Sequence, residues 1–177
     1  MSQERIARAI LLANGEIKVS DPEDISFLQS KGEYGTVLEN RTLKLFPEEA
    51  LYLVEKGRLK IFSEDRKEIS TLDLISYLSK RDPLFWVKYT LYYDLRKRGF
   101  VVKEGFSDVT IEYRVRKVTE NTKFTKYLVI GLREGLKVTF AELESMVTQA
   151  LRSRKIPVIA IIDKEGNVSY YSVSPLT

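Results

Sequence analysis

Tyr92-Tyr93-Asp94-Leu95-Arg96-Lys97-Arg98-Gly99-Phe100-Val101-Val102-Lys103-Glu104-Gly105 is the stretch on which the reading of this chain turns. It contains the end of one element and the start of another. Leu84, Val87, Leu91 and Leu95 form an apolar stripe at helical spacing, and Gly99 is the residue type that closes a helix. Phe100-Val101-Val102 then reads as a strand. Upstream, Asp82-Pro83 supplies a cap followed by proline at the first helical position. Phe85, Trp86, Tyr89, Tyr92 and Tyr93 lie at helical spacing too. That pattern belongs to a core or an interface more often than to a stacking platform.

Working toward the C-terminus, Val109, Ile111, Tyr113 and Val115 alternate with Thr110, Glu112 and Arg114, the pattern of a half-buried strand. Tyr127 to Leu132 is a third strand. Thr139 and Glu142 have capping-box spacing, and Phe140, Leu143, Met146, Val147, Ala150 and Leu151 share one face of the helix that follows. Ile156 to Ile162 is almost wholly apolar, as a strand buried on both faces would be. The turn Lys164-Glu165-Gly166-Asn167 leads into a last strand, Val168 to Val173. This half therefore predicts a mixed central sheet flanked by helices.

Toward the N-terminus, Asn14-Gly15 is a turn signal between the β-compatible runs Arg5 to Leu12 and Glu16 to Val19. Asp21-Pro22 starts a short helix, and Thr42 to Phe46 is strand-like. Pro47-Glu48-Glu49 opens a helix stopped by Gly57, its acidic residues suiting the positive helix end. Arg58 to Phe62 alternates like a strand, and the polar residues 63–70 read as a linker. The expected organisation is α+β, or mixed α/β. A small N-terminal α/β domain occupies residues 1–70, and a larger C-terminal domain with a mixed central sheet flanked by helices occupies residues 71–177.

Composition narrows the chemistry. The 177 residues include 44% hydrophobic and 31% charged side chains, as in a soluble globular protein. No apolar run approaches the ~20 residues of a membrane-spanning helix. The N-terminus lacks a signal-peptide layout, so a cytoplasmic protein is expected. Few Cys, Met and Gln beside abundant Lys, Arg, Glu and Ile suggest a thermophile. There is no cysteine and no histidine, which removes the usual transition-metal ligands and the side chain most used as a general base near neutral pH. A net charge of +4 is compatible with RNA binding and equally with a solvated, ion-paired surface. Arg152, Arg154 and Lys155 cluster where a helix ends, so they are candidates for RNA contact or for simple helix capping. Asp108 and Glu112, with Lys155, are the one constellation resembling a Mg²⁺ nuclease. Its plainer reading has Asp108 capping a turn and Glu112 on a strand's solvent face.

The segment 92–105 resembles the signature "Y-x-D-L-R-x-R-G-[YF]-x-[VI]-K-x-G" of archaeal tRNA-splicing (tRNA-intron) endonucleases. Pro47 to Leu59 resembles that family's "L-x-x-E-A-L-Y-L-x-E-x-G". Arg154 to Asp163 and Gly166 to Tyr171 resemble "R-K-x-x-x-x-A-[IV]-V-D-x-x-G-[DN]-[IV]-x-Y-Y". The resemblance implies metal-free, cofactor-free cleavage of pre-tRNA by a tyrosine, a histidine and a lysine, leaving a 2′,3′-cyclic phosphate and a 5′-OH. It carries the lysine to Lys155, puts Glu112 at the tyrosine position and Phe124 at the histidine position. Tyr113 could replace the tyrosine only by a one-residue slip, which turns it to the other face of its strand. Thr148 falls where the family has a base-clamping arginine. The resemblance thus implies a non-catalytic, structural subunit working with a paralogous catalytic chain, in an α₂β₂ heterotetramer. It further implies an interface through Tyr170, Tyr171 and Val173, and docking of the loop carrying Asp163 and Glu165, which Lys164 and Asn167 make less acidic. A Mg²⁺-dependent nuclease using Asp108 and Glu112, and a stand-alone RNA-binding module, remain as alternatives.

Overall fold

The computed structural model describes residues 4–174. The chain forms two compact units, one ending at Phe85 and the other beginning at Trp86. The first contains β1 (Ala7–Leu11), β2 (Ile17–Val19), α1 (Pro22–Gly32), β3 (Thr36–Val37), β4 (Leu43–Leu45), α2 (Pro47–Glu55), β5 (Leu59–Ser63) and α3 (Thr71–Arg81). Its sheet order is β3-β4-β2-β1-β5, with β1 and β5 parallel and the other pairs antiparallel.

Local chemistry explains these starts and stops. The Asp21 side chain accepts from the backbone N–H groups of Glu23 and Asp24, with Pro22 in the first turn of α1. Helix α3 goes beyond what the sequence patterns assign, and it places the unit boundary later than residue 70. Its Ser70 cap accepts from Asp73 N, Leu74 and Leu78 are buried, and the helix packs on α2. The signal was the Ser-x-x-Asp spacing, obscured by the exposed Leu72 beside the buried pair.

The second unit contains α4 (Phe85–Lys97), β6 (Phe100–Glu104), β7 (Ile111–Lys117), β8 (Tyr127–Arg133), α5 (Phe140–Arg152), β9 (Ile156–Ile162) and β10 (Val168–Ser172). Its sheet order is β10-β9-β8-β7-β6, with only β8 and β9 parallel, the crossover between them being α5. Asp82 caps as expected, but as a turn rather than at the helix start. Its Oδ1 accepts from Leu84 N and its carbonyl from Phe85 N, so α4 begins at Phe85 and Pro83 stays outside it.

The two helices cover opposite faces of this sheet. On the α4 side, Tyr92 meets Tyr113 edge-on with ring centroids 6.0 Å apart, and Tyr170 Oη donates to Asp94. Of the aromatic group on α4, Tyr89 and Tyr92 are core, whereas Trp86 and Tyr93 are exposed. On the α5 side, Leu128, Ile130, Ile159 and Ala150 form a core joined by Leu143, Met146 and Val173.

Two strand-and-helix readings need correction. Phe140, expected to line the buried face of α5, is 89% exposed, and Leu151 is exposed as well. The packed set is Leu143, Met146 and Ala150, at i, i+3 and i+7. Phe140 sits at the first helical position after the Thr139 cap, and Leu151 lies one step round from Ala150. Likewise, β9 is not buried on both faces throughout. Ile159 lies under α5, but Ile161, two residues on along the same face, is exposed.

Candidate functional site: the surroundings of Lys155

The site is built where α5 hands over to β9. After the helix ends at Ser153, Arg154 adopts a left-handed conformation (φ 55°), and Lys155 N donates to Ala150 O. This reversal sends Lys155 away from the helix. Its Nζ donates to the Thr125 carbonyl at 2.9 Å and to Thr125 Oγ1 at 2.8 Å. The ammonium is pushed below its ordinary pKa, first by burial and then by the nearby positive charge of Arg114.

Arg114 comes from β7 and Phe106 from the loop before it. The Arg114 guanidinium lies 5.2 Å from the Phe106 ring centre, and Lys155 Nζ lies 6.0 Å from the same ring. Arg114 Nε donates to the Glu104 carbonyl at 2.6 Å. Neither Lys155 nor Arg114 has a carboxylate partner among the described residues.

Glu112 organises the loop. Far from sitting on a solvent face, it is only 6% exposed. Its Oε1 accepts from the backbone N–H groups of Phe106 at 2.5 Å and Ser107 at 2.6 Å, and Oε2 accepts from Thr110 Oγ1 at 3.4 Å. Gly105 is required beside it, since a Cβ there would stand 2.2 Å from Glu112 Cγ and 2.6 Å from its backbone oxygen. The turn cap expected of Asp108 is made by Ser107, whose Oγ accepts from Val109 N and Thr110 N, while Asp108 itself is exposed. The Asp108/Glu112 pair is not gathered as a Mg²⁺ donor set: Glu112 is buried and bonded to its own loop, while Asp108 is exposed. Among the described residues no three His, Cys, Asp or Glu side chains group as metal ligands.

The remaining sequence-stated residues fall elsewhere. Tyr113 is buried against α4 and its hydroxyl donates to Lys88 O, so it faces away from Lys155. Phe124 precedes the Thr125 that holds Lys155, and its ring is 85% exposed. Thr148 and Arg152 border a shallow polar depression on the outer side of α5, and Arg154 is exposed. The basic trio thus divides, with Lys155 turned to Thr125 and Phe106. Asp163 accepts from both the backbone and the side-chain nitrogen of Asn167, which holds its carboxyl below the ordinary range. Asn167 thereby shapes this loop besides diluting its charge, and Glu165 is exposed.

Tyr170 donates to Asp94 Oδ2 at 2.6 Å while Arg98 lies 5.0 Å over its ring, and its ionisation is pushed above the ordinary range by burial and then by Asp94. Tyr171, on the opposite face, is 56% exposed, and Val173 packs against the α5 core. Strand β10 is an edge strand among the described residues.

Comparison with known proteins matches this architecture unit by unit. A family model described as the tRNA intron endonuclease N-terminal domain matches residues 10–75, and one described as the catalytic C-terminal domain matches residues 85–170. The chain belongs to the tRNA intron endonuclease family. Proteins named tRNA-splicing endonuclease are similar along most of its length. That of Pyrococcus furiosus is 36% identical over 136 residues, covering 77% of this chain and 78% of the relative. That of Thermococcus gammatolerans is 32% identical over 164 residues, covering 92% and 94%. That of Methanothermobacter thermautotrophicus is 35% identical over 148 residues, covering 82% and 84%. Within this family's fold, sequence reading named Lys155, Phe124 and Glu112, but it missed Phe106, Arg114 and Thr125. Phe106 had no signal beyond residue type, Thr125 stood only as the first residue of the segment that puts Phe124 at the histidine position, and Arg114 read only as one polar position in an alternating strand.

Proposed function

We propose that this chain is the structural, non-catalytic subunit of a heteromeric endonuclease that removes introns from pre-tRNA at bulge-helix-bulge sites. A paralogous catalytic chain supplies the missing groups, in an α₂β₂ heterotetramer. One observation carries the reading. The chain has no histidine, and the position that the family resemblance gives to one holds Phe124, an exposed apolar ring next to the residue anchoring Lys155. An apolar ring neither accepts nor donates the proton that 2′-OH attack and departure of the leaving oxygen require. Of the catalytic trio only the lysine is in place, and a lone cation stabilises phosphate charge without moving a proton.

The exposed surface supports the assembly half of the reading. Edge strand β10 presents Tyr171, and Phe140 and Ile161 add apolar area on the same unit. An unpaired strand edge with exposed apolar side chains is a template for pairing with another chain. In the loop proposed to dock, the Asp163 carboxylate accepts from the backbone and side chain of Asn167, which fixes the turn, and Glu165 is exposed. No helix among the described residues is long and apolar enough to cross a membrane.

Reconstitution tests the proposal. The purified chain is expected to leave bulge-helix-bulge RNA intact. Adding a histidine-bearing paralogue from the same genome is expected to give cleavage in EDTA, with 2′,3′-cyclic phosphate and 5′-OH ends. Robust metal-free cleavage by the purified chain alone would sink it.

A further inference from the structure

We infer that the open face of the first unit's sheet, carrying Arg8, Lys18, Lys44 and Lys60, grips the phosphate backbone of a base-paired RNA segment. RNA as the ligand class rests on the reading above; the face itself rests on this unit's register and charge. Strand alternation builds it. Ala9, Ile17, Leu45 and Ile61 are buried in the core, so their neighbours Arg8, Ile10, Lys18, Lys44, Lys60 and Phe62 share the opposite face. Arg8, Ile10 and Lys60 are exposed, and none of these outward positions is acidic.

Register sets cation against cation twice. Lys18 of β2 lies opposite Lys44 of β4, and Arg8 of β1 lies opposite Lys60 of β5. Like charges facing each other across neighbouring strands cost stability, and an anion laid over the sheet relieves that cost. The acidic groups at hand answer only half of the charge. Glu16, just before β2, lies 2.9 Å from Lys18 and 3.6 Å from Lys44, and Glu68 lies 3.2 Å from Lys60. The Arg8 guanidinium has no carboxylate partner among the described residues. Asp24 instead accepts from the Arg8 backbone N–H and from Arg5 Nε.

The same face selects the form of RNA. Single strands are held by stacking their bases on open aromatic rings. Phe62 is the one aromatic ring in these outward positions, and the Arg8 guanidinium already lies over it, 5.1 Å from its centre. A duplex keeps its bases inside and is recognised through its backbone. Across β4, β2, β1 and β5 the cations span about 14 Å, three strand spacings of ~4.8 Å, along which a DNA-like duplex offers a charge about every 1.7 Å.

The experiment is fluorescence anisotropy of a labelled, bulge-free RNA duplex of about 16 base pairs with the full chain, at about 50 to 200 mM salt. R8Q/K44Q is expected to weaken binding about tenfold and make the log–log salt slope shallower by about 1.8, the equivalent of two phosphate contacts. E16Q, which takes the acid from between two opposed lysines, is expected to tighten binding about threefold. K97Q/K117Q makes the same charge change on exposed lysines of the second unit and is expected to leave the slope within about 0.5 of wild type. Thermal melts verify folding, and E16Q tests the face with the opposite sign should the double variant not fold.

Wild-type affinity and slope in R8Q/K44Q would overturn the proposal, and so would equal weakening in K97Q/K117Q or weaker binding by E16Q. A glutamate-rich peptide that competes as well as unlabelled duplex would overturn it too, marking the face as a protein-docking surface. Because no cleavage is read, the two readings fail separately. An active mixture with its paralogue but no difference among the variants removes the sheet face. The expected differences beside an inactive mixture remove the subunit reading.

Discussion

Replacing Glu112 with alanine should cost the second unit about 2–4 kcal/mol, a large effect for a residue read from sequence as solvent-facing. The magnitude follows from what the carboxylate holds. Two backbone N–H groups reach Oε1 at 2.5 and 2.6 Å, and hydrogen bonds to charged groups are each worth roughly 1.5–3 kcal/mol. Phe106 and Ser107 lie at a partly exposed loop, so water recovers a share of that loss, and the 3.4 Å contact to Thr110 adds little. Glu112→Gln keeps one acceptor oxygen in the same place and should cost about 1 kcal/mol. The chain has a single tryptophan, Trp86, which lies on α4 in this unit, so urea denaturation followed by its fluorescence reports on the right transition. The midpoint should fall at constant slope. An E112A variant within about 0.5 kcal/mol of wild type would refute the view that this carboxylate builds the loop.

Four shorter expectations share the same reasoning. Gly105→Ala forces a Cβ to 2.6 Å from the Glu112 backbone oxygen, and should destabilise by about 1–3 kcal/mol in the same urea assay; wild-type stability would show the strands can part freely. Glu142 is held below its ordinary pKa of 4.5 by the Thr139 backbone N–H and then the Thr139 hydroxyl. Its contribution is therefore present above that pH and lost as pH falls through the folded value. An NMR titration should place Glu142 below 4.5, and helix α5 should lose its acid sensitivity in E142Q; titration at or above 4.5 contradicts the capping box. Tyr170→Phe removes the 2.6 Å bond to Asp94, which keeps Arg98, and should cost about 1–2 kcal/mol by denaturation. Phe124→His alone should restore no RNA cleavage to the purified chain. Tyr113 stays buried against α4 and Glu112 stays tied to its loop, so cleavage products on a gel would overturn that division of roles.

How much was legible beforehand depended on the range of the interaction. Caps and helix stops involve residues a few positions apart, and Asp21, Thr139 with Glu142, and Gly99 were visible in sequence for that reason. Helix α3 was missed despite its Ser70 cap, since its buried face is only Leu74 and Leu78 with Leu72 exposed. The strand β7 showed the limits of alternation. Period-two patterning distinguishes two faces, but burial on each face is set by what packs there, and Glu112 is buried by its own preceding loop.

The site divides along the same line. Sequence by itself determined the family, the absence of histidine and the presence of Lys155, because these are matters of residue identity at recognisable spacing. It could not place Phe106, Arg114 and Thr125 around that lysine. Those residues are separated by up to dozens of positions, and they meet only because β7, β8 and β9 lie side by side and Arg154 reverses the chain after α5. The parallel β8–β9 pairing sets Lys155, just before β9, beside Thr125, just before β8. A pattern along one chain records which side chains are available. Hydrogen-bonded register between distant strands decides which of them share a place.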